Sequence, residues 1–175
     1  MNAAGVMRRV TASVSLLALA VWLGGLLALG AIVAPVVFSV VSMPSSADAM
    51  TIVFRRFDQV AMTCAALVLA SEAMRALARV GFRPVDHARA ALGVVAAALA
   101  VFEGTHVSPR IAALHAGGAI RGLGPAGREL AHLHDIAELC GKTEVVLLVA
   151  VVVLHVVALT RGGGGARPGE RSGEA

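Results

Sequence analysis

Hydrophobic residues fall into four long segments that are separated by short polar stretches. The first runs from Val10 to Val41 without a charged residue, and the others cover about 59–79, 87–106 and 140–160. A bilayer core about 30 Å thick needs roughly 20 helical residues to cross it. The alternating polar and apolar positions of a membrane barrel do not occur. The pattern therefore predicts an all-α, integral membrane four-helix bundle over residues 10–161.

The first segment is longer than one straight crossing requires, since its helix would reach about 48 Å. Pro35 removes a backbone donor inside it, so we expect a kink or an early helix end near Ala34–Phe38. Glycines between residues 108 and 127 predict a Gly-rich exterior loop before the last helix, with a short helix at Pro109–His115. The Gly-rich residues 162–175 predict a disordered cytoplasmic tail.

The composition excludes most soluble classes. Hydrophobic residues make up 58% of the chain and charged residues 15%, whereas soluble domains carry about a quarter charged residues. The net charge is +4, but the basic residues form no single patch, so we expect the lipid bilayer and no nucleic acid as partner. The sequence contains no Gly-x-Ser-x-Gly motif and no nucleophile–base pair, so we do not expect an enzyme. No motif indicates a cofactor.

The distribution of arginine and lysine predicts the orientation. One side of the predicted bundle carries nine arginines, and the other side carries six basic residues in longer loops. Positive charge is enriched in cytoplasmic connections, so both termini, including residues 1–9, are predicted to be cytoplasmic in the inner (plasma) membrane. The nine are Arg8, Arg9, Arg75, Arg79, Arg83, Arg89, Arg161, Arg167 and Arg171.

One polar cluster is predicted inside the membrane, near the cytoplasmic side. Glu72 and Arg75 are three residues apart and share a helical face, and His155 should lie at a similar depth on the last helix. We expect Glu72 to face the bundle and to pair with Arg75 or His155. Such a cluster is either a self-neutralising pair at the membrane edge or a proton or ligand site.

A second polar cluster is predicted on the exterior side, between the third and fourth segments. His106 with one other histidine and a carboxylate could form a zinc or copper(II) site, whereas the alternative is an interfacial cap with ion pairs such as Glu138–Lys142. A haem is disfavoured, because His106 and His155 are expected at opposite membrane edges. The candidates are Glu103, His106, His132, His134, Asp135 and Glu138.

Several short motifs follow one another in a recognisable order. They are Trp22-Leu23-Gly24-Gly25, Ala34-Pro35-Val36-Val37-Phe38, Phe54-Arg55-Arg56-Phe57-Asp58, Ser108-Pro109-Arg110-Ile111 and Leu130-Ala131-His132-Leu133-His134-Asp135. Over residues 10–160 this order resembles the domain of unknown function 4149 family, which is similar to the eukaryotic transmembrane protein 205 group. The resemblance implies a four-helix membrane domain without an established reaction. It matches His134 to the family's histidine, and the eukaryotic group's association with drug resistance implies export or trafficking.

Together these features predict a non-enzymatic inner-membrane protein. We expect a transport- or trafficking-related accessory factor that forms homo-oligomers and whose partner protein is unknown. The alternative is a copper- or haem-binding membrane protein that uses the exterior histidines in metal homeostasis or redox chemistry.

Overall fold

The computed structural model describes residues 3–77 and 84–162, and these residues form helices joined by short connections. The elements are α1 (Ala3–Ala28), a π-helical turn (Leu29–Val33), α2 (Ala34–Val40), α3 (Ser45–Leu77), α4 (Pro84–Phe102), a second π-helical turn (Glu103–Val107), α5 (Ser108–Ala116) and α6 (Gly124–Gly162). Four continuous helices result, and each is long and apolar enough to cross a membrane. The predicted all-α membrane bundle of four helices is confirmed.

Each π-helical turn lies just before a proline. Ala34 precedes Pro35 and donates its backbone N–H to Leu29, five residues back, and Ser108 precedes Pro109 and donates in the same way to Glu103. Proline cannot donate this bond, and its ring crowds the carbonyl four residues earlier. A wider turn relieves that crowding while the helix continues. The first helix therefore does not end near Ala34–Phe38, and its interruption lies about one turn earlier.

Three helix boundaries differ from the sequence expectation. The second helix begins at Ser45, the third runs on through α5 to Ala116, and the fourth begins at Gly124. The ends of these helices are polar, so a hydrophobic pattern does not reveal them. The helical backbone nevertheless continues through them. The predicted loop at 108–127 is consequently reduced to residues 117–123, where Gly118 and Gly122 adopt positive φ angles. The predicted disordered tail and several of the counted arginines lie outside the described residues.

The core lies where the four helices meet. Leu19 and Trp22 of α1 pack against Val68 of α3, Ala96 of α4 and Leu148 of α6. Alanines on α4 let its backbone approach its neighbours closely, as small residues do in membrane bundles. Large apolar side chains cover much of the outer surface, which is the surface that lipid would contact.

Candidate functional site

Two groups of buried polar side chains lie at opposite ends of this apolar core. We call the group nearer the chain termini the arginine layer; its members are Glu72, Arg75, Asp86, Arg89 and His155. We call the group nearer the 117–123 connection the acidic layer; its members are Trp22, Asp58, Glu103 and Glu144. Along α3 the layers are separated by fourteen residues, or about 21 Å, and along α6 by eleven residues, or about 16 Å. Both layers therefore fit within the thickness of a bilayer core.

Arg89 organises the arginine layer. Its side chain is 3% exposed and donates two hydrogen bonds to Glu72, from Nε at 2.9 Å and from Nη2 at 2.8 Å. Its remaining terminal nitrogen, Nη1, donates to Asp86 at 2.9 Å. The planar guanidinium matches a carboxylate in this two-point geometry, so the buried charges are both paired and oriented.

Arg75 connects this network to the fourth helix. Its Nη1 donates to Glu72 at 3.2 Å, and its Nη2 lies 2.9 Å from Nε2 of His155. Arginine can only donate, so Nε2 of His155 must accept, and the imidazole is the neutral form with its proton on Nδ1. Two arginines thus balance two carboxylates in this layer. The structure brings together Glu72, Arg75 and His155: of the two expected partners of Glu72, Arg75 donates to it, whereas His155 contacts Arg75.

Glu144 is the centre of the acidic layer. It is 2% exposed, and its Oε2 accepts a hydrogen bond from the indole Nε1 of Trp22 at 3.1 Å. Its other oxygen, Oε1, has no hydrogen-bond partner among the described residues. A buried carboxylate oxygen without a donor is costly in an apolar bundle.

Two further carboxylates lie near Glu144. Asp58 has Ser108 as a polar neighbour, while its Oδ2 is buried without a hydrogen-bond partner among the described residues. Glu103 is half-buried and lies within electrostatic reach of both Glu144 and Asp58. Arg55 is the cation within electrostatic reach of Asp58. The acidic layer therefore gathers three carboxylates from three helices with less positive charge than the arginine layer.

The second π-helical turn positions Glu103 in this layer. The turn also carries Gly104, where an added Cβ would lie 3.2 Å from Cε of Met62 and 3.3 Å from Cβ of Asp58. The third helix thus packs closely against α3 at the level of Asp58. Pro109, which follows the turn, accounts for the local widening of the helix.

The predicted exterior cluster does not come together. Glu103 points into the bundle, whereas His106 is exposed, stacks on Phe102 and lies 2.7 Å from the Thr105 hydroxyl. The other candidates lie along α6 with partners of their own. His132 is exposed, His134 contacts His115 edge to face, Asp135 pairs with Arg121, and Glu138 pairs with Lys142.

The described residues contain no group of three or more His, Cys, Asp or Glu side chains placed to hold a metal ion. His155 belongs to the arginine layer and His106 lies at the opposite end of the core, so these two histidines do not face one haem position. The copper- or haem-binding alternative therefore gains no support from the geometry.

Asp58, Asp86, Arg89 and Glu144 were not among the sequence-predicted site residues. A signal for some of them is present in the spacing. Asp58 and Glu72 are fourteen residues apart on α3, as are Arg89 and Glu103 on the third helix, and fourteen residues are close to four helical turns. Each pair therefore lies along one face, with small or apolar residues between its members.

The motif residues of the first helix have distinct positions. Trp22 is fully buried, and Gly25 lies against the ring of Phe57. An added Cβ at Gly25 would lie 2.2 Å from Cε2 of that ring, whereas one at Gly24 would meet nothing within 4 Å. Phe38 is exposed on the outer surface after the proline-linked π turn.

The sequence model of a family described as "Domain of unknown function (DUF4149)" matches residues 17–119, more than half of the chain. This range contains Trp22, Gly25, Pro35 and Pro109, while His134 lies beyond it. No curated protein and no solved structure matches the chain. The chain belongs to the DUF4149 family.

Proposed function

We propose that this chain is a non-enzymatic, multi-pass protein of the inner (plasma) membrane with a transport-related role, in which the acidic layer binds and releases a proton. The observation that carries the proposal is Glu144, a carboxylate that is 2% exposed and retains one oxygen without a partner among the described residues. Ionisable residues inside a membrane bundle are costly and mark pathways for ions or protons by default.

A proton suits this layer better than a larger ligand. Three carboxylates in an apolar bundle repel one another, and the indole of Trp22 provides a single hydrogen bond without a charge. Protonation of one carboxylate removes a negative charge and provides a donor for a neighbouring oxygen, and it needs no cavity. The half-buried Glu103 provides a route between Glu144 and the outside of the bundle.

The orientation remains part of the proposal. The excess of arginine near the termini favours an orientation with the arginine layer on the cytoplasmic side and the acidic layer on the exterior side. Cys64 and Cys140 are both buried, so a single cysteine introduced at the exposed Ile120 offers a selective labelling site. Labelling of intact cells by an impermeant maleimide is expected; labelling only after lysis would reverse the assignment.

Infrared spectroscopy of the purified full chain tests proton binding. We expect a protonated-carboxyl C=O band that appears as pH falls and that is lost or reduced in Glu144→Gln. Asp48→Asn removes an exposed carboxylate outside the layer and should leave the band unchanged. Identical bands in the wild type and Glu144→Gln would overturn the proposed proton site.

Proteoliposomes test the link to transport separately. With a potassium diffusion potential and an internal pH dye, the wild type should take up protons faster than Glu144→Gln, while Asp48→Asn should match the wild type. A carboxyl band that titrates without any such flux would retain proton binding and remove the transport role.

A further inference from the structure

A surface cleft lies between the N-terminal half of α3 and the end of α5, at the end of the molecule that carries the 117–123 connection. It has a volume of about 560 Å³, and its polar lining comes from Thr51, Arg55, Arg56, Gln59 and His115. Alanines of α5 form part of the opposite wall and leave space in front of the arginines. Besides the carboxylate of Asp48, the cleft is thus lined by two permanent cations, an imidazole and two neutral hydrogen-bonding groups.

The two arginines of the cleft differ from three other basic residues at this end, which form ion pairs. Arg110 pairs with Glu129, Arg121 with Asp135 and Lys142 with Glu138. Arg55 and Arg56 are exposed, and neither forms an ion pair with another described residue. Two guanidinium groups that line one cleft without an ion pair to a described carboxylate can each donate hydrogen bonds to a phosphate.

The position of the cleft along α3 identifies the source of that phosphate. Arg75 belongs to the arginine layer near one edge of the membrane, and Arg55 precedes it by twenty residues. Twenty helical residues rise about 30 Å, which is the thickness of the hydrocarbon core. Arg55 and Arg56 therefore lie at the level of lipid headgroups on the opposite surface.

One acidic residue also lines the cleft. Asp48 lies seven residues before Arg55, about 10 Å along α3, so its carboxylate is at the far end of the cleft from the arginine pair. An anionic headgroup can therefore occupy the end near Arg55 and Arg56 without direct contact with Asp48.

We propose that this cleft is a binding site for the phosphate group of an anionic phospholipid, held by Arg55 and Arg56 with His115 on the facing helix. The site shares no residue with the acidic layer, although Arg55 lies within electrostatic reach of Asp58, so loss of lipid binding and loss of the carboxyl band are measured separately. A headgroup bound there would contact both α3 and α5, the two helices that meet beside Asp58.

Native mass spectrometry of the full chain, released from detergent with added phosphatidylglycerol or phosphatidylcholine, tests the proposal. The double variant Arg55→Gln/Arg56→Gln should bind phosphatidylglycerol about tenfold more weakly than the wild type, which corresponds to loss of one strong charge-assisted contact. The single variant Arg56→Gln should also bind more weakly, and its matched control for the loss of one charge is Arg128→Gln, since Arg128 is also exposed and without an ion pair among the described residues but does not line the cleft. This control should bind as the wild type does.

Three outcomes would separate the alternatives. Equal phosphatidylglycerol binding by the double variant and the wild type, with both proteins showing the same thermal unfolding, would overturn the site. An equal loss in Arg128→Gln would also overturn it, since net charge would then suffice. Inorganic phosphate could displace phosphatidylglycerol at matched ionic strength, where sulfate as the salt control does not. That result would support recognition of a phosphate group, but it would overturn the proposal that the phosphate must belong to a lipid.

Discussion

The arginine layer and the acidic layer solve the same physical problem in opposite ways. Each buries carboxylates among the same membrane helices, yet Arg89 and Arg75 neutralise Glu72 and Asp86 in one layer, whereas Glu144 has a single indole donor in the other. A layer whose charges are paired has little to gain from a change in protonation. A layer with unpaired carboxylate oxygens gains a donor when it takes up a proton.

The backbone differs between the layers in a related way. The ion pairs Glu72–Arg75 and Asp86–Arg89 have the i, i+3 spacing that a regular helix provides. The acidic layer instead takes Glu103 from a π-helical turn ahead of Pro109. Such turns depart from regular hydrogen bonding and often occur at functional positions. This supports a structural role for the arginine layer and a functional one for the acidic layer.

Removal of Arg89 should have the largest effect on stability. Arg89→Leu deletes three hydrogen bonds and leaves Glu72 with only its longer contact to Arg75, so we expect a loss of about 3–5 kcal/mol in the free energy of unfolding. Reversible unfolding of the full chain in mixed detergent micelles measures this. The double variant Glu72→Leu/Arg89→Leu keeps the layer neutral and should be less destabilised than the single variant. If the double variant is the less stable of the two, charge balance is not what the layer provides.

Trp22→Phe should have a smaller effect, confined to the acidic layer. It keeps an aromatic ring in the core but removes the hydrogen bond to Glu144, which leaves that carboxylate without a partner among the described residues. We expect a loss of about 1–3 kcal/mol at neutral pH. The loss should shrink at low pH, where a protonated carboxyl is less costly to bury. A pH-independent loss would indicate that Trp22 contributes packing alone.

The packing contact next to this layer gives a third test. Gly25→Ala places a methyl group against the ring of Phe57, which must move, so we expect a loss of about 1–2 kcal/mol. Gly24→Ala is the matched control on the same helix, because its methyl group meets nothing within 4 Å. Trp22 is the single tryptophan, so its fluorescence reports the acidic layer directly. Its emission should shift in Gly25→Ala only; an equal shift in Gly24→Ala would assign the effect to helix propensity.

The sequence was sufficient for the fold because each helix carries an apolar stretch that only a membrane bundle can accommodate. It was also sufficient to associate Glu72, Arg75 and His155, since helical spacing and depth follow from residue number. It was not sufficient for Glu144, because nothing local distinguishes that residue from an exposed acid near a helix end. Its burial depends on contact with Trp22, 122 residues away in the chain. The exterior histidines were grouped because the predicted third span ends at His106 and the predicted fourth span begins at Cys140, which puts His106, His132 and His134 at one membrane surface.

Glu144→Gln provides the sharpest contrast with Arg89→Leu, although its effect should be the smallest. The amide oxygen of glutamine can still accept the hydrogen bond from Trp22, while the negative charge that repels Glu103 and Asp58 is removed. We therefore expect the free energy of unfolding at neutral pH to rise by up to about 1 kcal/mol. This gain should disappear at low pH, where the native carboxyl is already protonated. Chemical unfolding at neutral and at low pH measures the gain in unfolding free energy and its loss on acidification. Asp48→Asn is the control for loss of an exposed carboxylate. A loss of stability comparable to that of Arg89→Leu would mean that Glu144 is a paired structural charge, and the distinction between the two layers would then fail.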